Sequence, residues 1–102
     1  MIRQAEKSCP VGKVVALVGD SCSLLIVRDL LDSAKRFSEL ENSLSVSTRT
    51  LAKKLKLLEH EGIVMRKETK DSPACVRYSL TKKGAAFQKV VDDMRAYGKK
   101  YL

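Results

Sequence analysis

Residues 47–80 read STRTLAKKLKLLEHEGIVMRKETKDSPACVRYSL, and this stretch decides the fold. Leucines in its first half recur at helical spacing and share one helix face: Leu51, Leu55 and Leu58. The pattern predicts an amphipathic helix from about Thr48 to Glu61, with Ser47 as its N-cap. Gly62 is well placed to end this helix in a left-handed conformation.

Beyond Gly62 the apolar period changes from 3.6 residues to 2. The apolar residues of the two runs are Ile63, Met65, Val76, Tyr78 and Leu80. The residues that alternate with them are Val64, Arg66, Arg77 and Ser79. Between the runs, Lys70–Pro73 has the composition of a turn. The sequence therefore predicts two strands joined by a basic loop.

Three helical segments precede this stretch and a fourth follows it. The first runs from Pro10 to Val18, and Asp20 or Ser21 can cap a second that reaches about Leu31. A short helix over Phe37–Leu44 then joins the longer one through residues 45–47. After the hairpin, Thr81 is expected to cap a final helix. Its apolar residues repeat at three and four: Phe87, Val90, Val91, Met94, Tyr97 and Tyr101.

A helix, a short turn, a second helix and a two-stranded hairpin, in that order, are typical of the winged helix-turn-helix. We therefore predict a mainly α fold with a small β-hairpin. At 102 residues the chain is long enough for one core, so residues 1–102 are expected to form a single domain.

The net charge of +8 is concentrated in one part of the chain. Residues 1–44 carry six basic and six acidic side chains, whereas residues 45–83 carry ten basic and four acidic ones. A solvated face is the ordinary explanation of a charge run, but it does not require one sign to accumulate. A polyanionic partner does, so the distribution favours nucleic acid.

Several classes of protein and site find no support in the sequence. No apolar run approaches the roughly 20 residues of a membrane span, and the amino terminus lacks the apolar core of a secretory signal, so we expect a cytoplasmic protein. Three cysteines without a CxxC pair and a single histidine, His60, indicate neither a disulfide framework nor a metal site. No catalytic arrangement or phosphate-binding loop is present, so neither an enzyme nor a cofactor is expected.

The candidate DNA-binding residues lie on the longer helix, at its amino end and on the hairpin. On the helix, Arg49, Lys53 and Lys56 fall opposite the leucines, where they can reach guanine edges and phosphates in a major groove. The full predicted set is Ser45, Ser47, Thr48, Arg49, Thr50, Lys53, Lys54, Lys56, Arg66, Lys67, Lys70 and Arg77. Taken alone, the helix could equally be an amphipathic helix with a solvated lysine face.

The chain resembles the HxlR-type winged helix regulators, relatives of the MarR group. The matching segments are residues 9–11, 24–31, 36–40, 51–59, 61–64 and 76–84, which include Cys-Pro-Val, Leu-Leu-Ile-Val-Arg-Asp-Leu-Leu and Arg-Phe-Ser-Glu-Leu. The resemblance implies a homodimer that binds inverted-repeat operators as repressor or activator, with its dimer interface on the first and last helices. Ser21-Cys22 replaces the Lys-Trp that the family usually carries before the second helix.

Apolar stripes on the terminal helices independently favour a dimer, because so small a domain has little core in which to bury both. The alternative is that both helices simply close the core of the monomer. The predicted interface lies within residues 1–19 and 81–102 and consists of Val11, Val14, Val15, Val18, Phe87, Val90, Val91, Met94, Tyr97 and Tyr101.

Cys9 is a candidate redox sensor. It precedes Pro10 at a helix start, where the helix dipole and free N–H groups can stabilise a thiolate. The family resemblance adds that some members sense oxidants or electrophiles through a cysteine at this position. An inert thiol at Cys9 is the alternative, and we expect Cys22 to be a packing residue and Cys75 a wing residue without special chemistry.

Two other functions compete with sequence-specific DNA binding. A winged helix can serve as a protein-interaction module, which would favour an apolar or mixed outer face on the Ser47–Glu61 helix. It can also bind DNA without sequence preference as an architectural protein.

Overall fold

The computed structural model describes residues 9–70 and 75–102. Within them the elements follow in the order α1 (Pro10–Val18), α2 (Ser21–Asp32), α3 (Phe37–Leu44), α4 (Thr48–His60), β1 (Val64–Glu68), β2 (Val76–Leu80), α5 (Lys82–Ala85) and α6 (Gln88–Tyr101). The predicted mainly helical fold with one antiparallel hairpin is confirmed. Most of the predicted turn at Lys70–Pro73 lies outside the described residues.

Cap residues fix where the first helices begin. Pro10 occupies the first turn of α1, where a missing N–H costs no hydrogen bond. Asp20 caps α2, because its Oδ1 accepts hydrogen bonds from the backbone N–H of Cys22 at 3.1 Å and of Ser23 at 2.8 Å. The predicted starts of both helices are therefore correct.

The leucine face of α4 lies in the hydrophobic core. Leu51, Leu55 and Leu58 are at most 2% exposed. Their buried neighbours are Val18, Cys22, Ile26, Val27, Leu30, Leu40, Ile63 and Val64. Truncating a buried leucine to alanine costs about 2–5 kcal/mol, so three of them fix the rotation of α4 about its axis. The outward face of the helix is thereby fixed as well.

β1 alternates one residue out of step with the prediction, whereas Tyr78 and Leu80 of β2 pack against the core as predicted. The register pairs Val64 with Leu80 and Met65 with Ser79, so that Val64 is buried at 2% exposure while Met65 is 49% exposed. The cause lies at Ile63, whose N–H donates to Leu58 O at 2.9 Å and which therefore still belongs to the exit turn of α4. The alternation begins at Val64, and the inward position predicted for Met65 is wrong.

The segment between α2 and α3 lies against the hairpin. Lys35 and Tyr78 form an isolated antiparallel bridge, with backbone N–O distances of 2.9 and 2.7 Å. This contact attaches the start of α3 to β2, and so holds the helix that precedes α4 against the wing.

The predicted final helix is divided in two. Thr81 caps α5, as its Oγ1 accepts from Gly84 N at 3.1 Å, but a turn at Ala86 and Phe87 separates α5 from α6. Gly84 lies against the hairpin entry so closely that a Cβ there would come within 2.2 Å of Ile63 O. Because α5 is bound to the hairpin in this way, the chain must turn before α6 can extend.

Among residues 9–70 and 75–102, no helix is both long and apolar enough to cross a membrane.

Candidate nucleic-acid interface

The outer face of α4 carries the predicted cations. Arg49, Lys53 and Lys56 are all exposed, and His60 at the end of the helix lies on the same side. Since the opposite face is buried, these side chains project from a helix whose orientation is fixed by packing. The face is basic rather than apolar or mixed, which is the arrangement that a nucleic-acid groove requires.

Leu57 lies at the edge of this face. It is half exposed and lines a groove of about 270 Å³ with Lys13 and Leu17 of α1.

The hydroxyl groups at the amino end of α4 hold the helix start in place. Ser47 Oγ accepts from Thr50 N at 3.1 Å and lies 2.9 Å from Thr50 Oγ1. Thr48 Oγ1 donates to Glu41 Oε2 of α3, a contact between the two helices that the sequence did not indicate. Ser45 adopts a left-handed conformation (φ 52°) in the turn, and its N–H donates to Glu41 O at 3.0 Å. These groups position α4, and Glu41 is a positioning residue that pattern reasoning missed.

Lys54 lies on a different side of α4 from the other cations. Its Nζ is 3.5 Å from Asp20 Oδ2, and its side chain is only 26% exposed. Burial raises the pKa of Asp20, but hydrogen bonds from Ser23 and the charge and hydrogen bond of Lys54 outweigh it, so the pKa lies below its ordinary value. The structure gives Lys54 a role at the junction of α2 and α4, and we remove it from the DNA-binding set.

The wing separates its predicted cations onto two faces. Lys67 and Arg77 are paired across the hairpin and both are exposed. Lys70, two residues beyond the end of β1, is exposed as well. Arg66 is paired with Tyr78 in the register and lies on the other face, where its Nη1 is 3.0 Å from Glu68 Oε1. That hydrogen bond to Glu68 and a second to Tyr78 raise the pKa of Arg66. Because Arg66 already has an acidic partner, we remove it from the set too.

The three cysteines have different environments. Cys9 caps α1: its Sγ accepts from Gly12 N at 3.2 Å and its side chain is exposed. Cys22 is buried in the core, as expected, and burial raises the pKa of its thiol. A hydrogen bond with the Thr69 hydroxyl at 3.3 Å, assisted by nearby arginine charges, lowers the pKa of the Cys75 thiol.

An apolar surface extends over α1 and α6. Its exposed members are Val11, Val14, Val15, Val90, Met94, Tyr97 and Tyr101. A groove of about 260 Å³ runs between the two helices, with Leu24 of α2 in its wall. Val18 and Val91, predicted at a dimer interface, are only 3% and 7% exposed, and Phe87 is half-buried against the core. Since these three pack within the single chain, we remove them from the predicted contact surface.

The acidic, histidine and cysteine side chains are dispersed. In the part of the chain that the structure describes, no three His, Cys, Asp or Glu side chains group in a way that could hold a metal ion.

Comparisons with known proteins agree with this arrangement. The family model for the HxlR-like helix-turn-helix matches residues 17–102. The HTH-type transcriptional regulator YvaP of Bacillus subtilis is 33% identical over 102 residues, which cover 99% of this chain and 94% of YvaP. The solved structure of reduced YodB, a transcriptional regulator from B. subtilis, has a TM-score of 0.80 at 36% identity and covers 91% of this chain and 93% of YodB. The redox regulator HypR in its oxidised form has a TM-score of 0.83 at 30% identity, over 92% of this chain and 98% of HypR.

These similarities cover both the sequence and the fold. They confirm the winged helix prediction and the prediction that the chain is not an enzyme, because the matching proteins are DNA-binding transcriptional regulators. The chain belongs to the HxlR-like helix-turn-helix family of transcriptional regulators.

Proposed function

We propose that this protein binds DNA sequence-specifically as a homodimer on an inverted-repeat operator. The observation that supports this most strongly is α4, a helix held by three buried leucines that presents Arg49, Lys53 and Lys56 to solvent. In the proposed complex α4 lies in the major groove, where Arg and Lys contact guanine edges. The residues at its amino end, Ser45, Ser47, Thr48 and Thr50, face the adjoining backbone, while Lys67, Lys70 and Arg77 of the wing hold flanking phosphates.

The dimer is proposed from the apolar surface of α1 and α6. Val11 is 74% exposed, and Tyr97 and Tyr101 are each more than 60% exposed. They add exposed apolar area to the two helices whose valines and Met94 line the groove, and a large exposed apolar area marks an interface. For two copies of α4 to enter successive major grooves of one duplex, the proposed dimer must hold them about 34 Å apart.

Cys9 supports a response to thiol-reactive compounds. It lies exposed at the start of α1, next to the proposed dimer surface, where an adduct would alter how the two copies pack. The likeness to HypR, described as a redox regulator, and to YodB, solved after diamide treatment and bound to quinone, supports the same proposal. Diamide should weaken operator binding by the wild type and leave Cys9→Ser unaffected; equal weakening of both would refute the role of Cys9.

Selection of bound duplexes from a random DNA pool tests the main proposal. A palindromic consensus with half-sites one helical turn apart is the expected result. Arg49→Ala or Lys53→Ala should then cost about 1–3 kcal/mol of affinity if the side chain contacts a base, whereas Lys54→Ala on the same helix should not.

The same selection distinguishes the competing functions. Enrichment of no sequence, with tight binding to all duplexes, would identify an architectural protein. Weak binding to every duplex, without salt dependence, would favour a protein-interaction module.

A further inference from the structure

The segment that leads into α3 extends the hairpin by one strand position. Lys35 and Tyr78 form a pair that exchanges both backbone hydrogen bonds. In antiparallel pairing, the residue after one member lies opposite the residue before the other, so Arg36 lies opposite Arg77. Arg36 has extended backbone angles (φ −81°, ψ 160°), and its side chain therefore projects to the opposite face from that of Lys35.

β1 adds a third cation on the other side of Arg77. The register pairs Lys67 with Arg77, and residues directly opposite one another project to the same face of a sheet. Arg36, Arg77 and Lys67 therefore lie side by side across three adjacent segments, and we call them the cation row. Strands are spaced by about 4.8 Å, so the Cα atoms of the row span about 10 Å.

No member of the cation row forms an ion pair among the described residues. All three side chains are exposed, and within residues 9–70 and 75–102 no carboxylate oxygen lies within 4.0 Å of their charged nitrogens. Like charges that face each other across strands are destabilising. A bound polyanion would relieve the repulsion within the row.

The charges of Arg36 and Arg77 both lower the pKa values of two neighbouring groups, Glu39 and Cys75. The pKa of Glu39 is lowered chiefly by the backbone N–H of Arg36, and the charges of Lys35, Arg77 and Arg36 add to the effect. The pKa of Cys75 is lowered chiefly by the Thr69 hydroxyl, and again the charges of Arg36 and Arg77 contribute. Both effects agree with the adjacency that the strand pairing requires.

The other face of the same sheet provides a contrast. Arg66 lies there beside Tyr78, with Glu68 as its ion-pair partner at 3.0 Å. Lys35 also forms an ion pair, since its Nζ is 3.4 Å from Asp32 Oδ2. Arg66 and Lys35 on this face form ion pairs, whereas among the described residues the members of the cation row do not.

We propose that the cation row binds the phosphodiester backbone of DNA beside the base pairs contacted by α4, with Arg36 as a contact outside both α4 and the hairpin. This inference rests on the proposed function. Backbone phosphates are the same in every sequence, so the row adds affinity and salt dependence but no discrimination between sequences.

The test compares Arg36→Gln with the wild type on the selected operator duplex and on a scrambled duplex, by fluorescence anisotropy between about 50 and 200 mM salt. The slope of log K against log salt should become shallower by about 0.9 for each phosphate that the variant no longer neutralises, and both duplexes should bind more weakly by the same factor. Arg36→Lys should restore most of the slope.

Arg66→Gln is the matched control, because it removes one positive charge from the opposite face of the same sheet. The slope measured for Arg66→Gln should equal that of the wild type.

The outcomes separate the two proposals. A wild-type slope in Arg36→Gln, with operator preference intact, overturns the cation row and leaves the proposed function standing. If the wild type binds the operator and the scrambled duplex equally well, the proposed function is refuted instead. Thermal unfolding of Arg36→Gln checks that the variant is folded at the temperature and salt concentrations of the binding assay.

Discussion

Asp20 Oδ2 lies 3.5 Å from Lys54 Nζ, so the residue that caps α2 also contacts α4. The other carboxylate oxygen, Oδ1, accepts the two backbone hydrogen bonds of the cap. One side chain therefore joins the start of α2 to the helix that carries the candidate base-reading residues.

Asp20→Ala should destabilise the protein by about 1 kcal/mol, within the range of about 0.5–2 kcal/mol measured for removal of N-caps. Asp20→Asn should be milder, because an asparagine oxygen can still accept the cap hydrogen bonds while the ion pair to Lys54 is absent. Urea unfolding followed by circular dichroism measures both. Equal stability of Asp20→Ala and the wild type would contradict the role of the cap.

The Asp20 carboxylate also predicts a pH dependence. Its pKa in the folded protein lies below the ordinary value of 3.8, since the hydrogen bonds from Ser23 and the Lys54 charge outweigh burial. A group whose pKa is depressed by folding stabilises the protein above its unfolded pKa and loses that contribution as the pH falls through its folded pKa. The Tm difference between the wild type and Asp20→Asn should thus be constant near neutrality and shrink in acid. A difference that grows as the pH falls would contradict this sign.

Sequence reasoning succeeded where the relevant contacts are local and failed where they are distant. The spacing of Leu51, Leu55 and Leu58 was sufficient to predict the buried face of α4. Lys54 lies about 140° around the helix from Arg49, and its true partner, Asp20, is far away in sequence. No periodicity indicates such a contact.

The wing shows the same limit. The predicted phase was correct for β2 but not for β1, because the phase of β1 depends on Ile63 remaining in the exit turn of α4. Arg36 was not a candidate in the sequence, because only the pairing of Lys35 with Tyr78 brings it opposite Arg77. The turn at Phe87 likewise depends on the packing of Gly84 against Ile63.

The cysteines should differ in reactivity. The pKa of Cys75 is lowered by the Thr69 hydroxyl and by nearby arginines, while burial raises that of Cys22. Because the thiolate is the reactive form, Cys75 should be alkylated well before Cys22 in the folded protein near neutral pH. Brief treatment with iodoacetamide and peptide mass spectrometry give the order, and Thr69→Val should slow the reaction of Cys75. If both cysteines react at the same rate in the native state, the environment assigned to Cys75 is wrong.

Met94→Asp should dissociate the proposed homodimer. Met94 is about half exposed and lines the apolar groove between α1 and α6, so in a dimer its side chain would be buried, and a carboxylate there would lose its hydration without a partner. Sedimentation equilibrium should show a monomer for Met94→Asp. Operator affinity should fall as well, because the two DNA-binding domains that contact the half-sites are no longer joined.

Lys89→Asp is the control. The Lys89 side chain on α6 is 85% exposed and lines neither of the apolar grooves beside that helix, so the variant should remain dimeric. A wild-type protein that is monomeric at micromolar concentration, or a Met94→Asp variant as dimeric as the wild type, would mean that α1 and α6 do not form the interface.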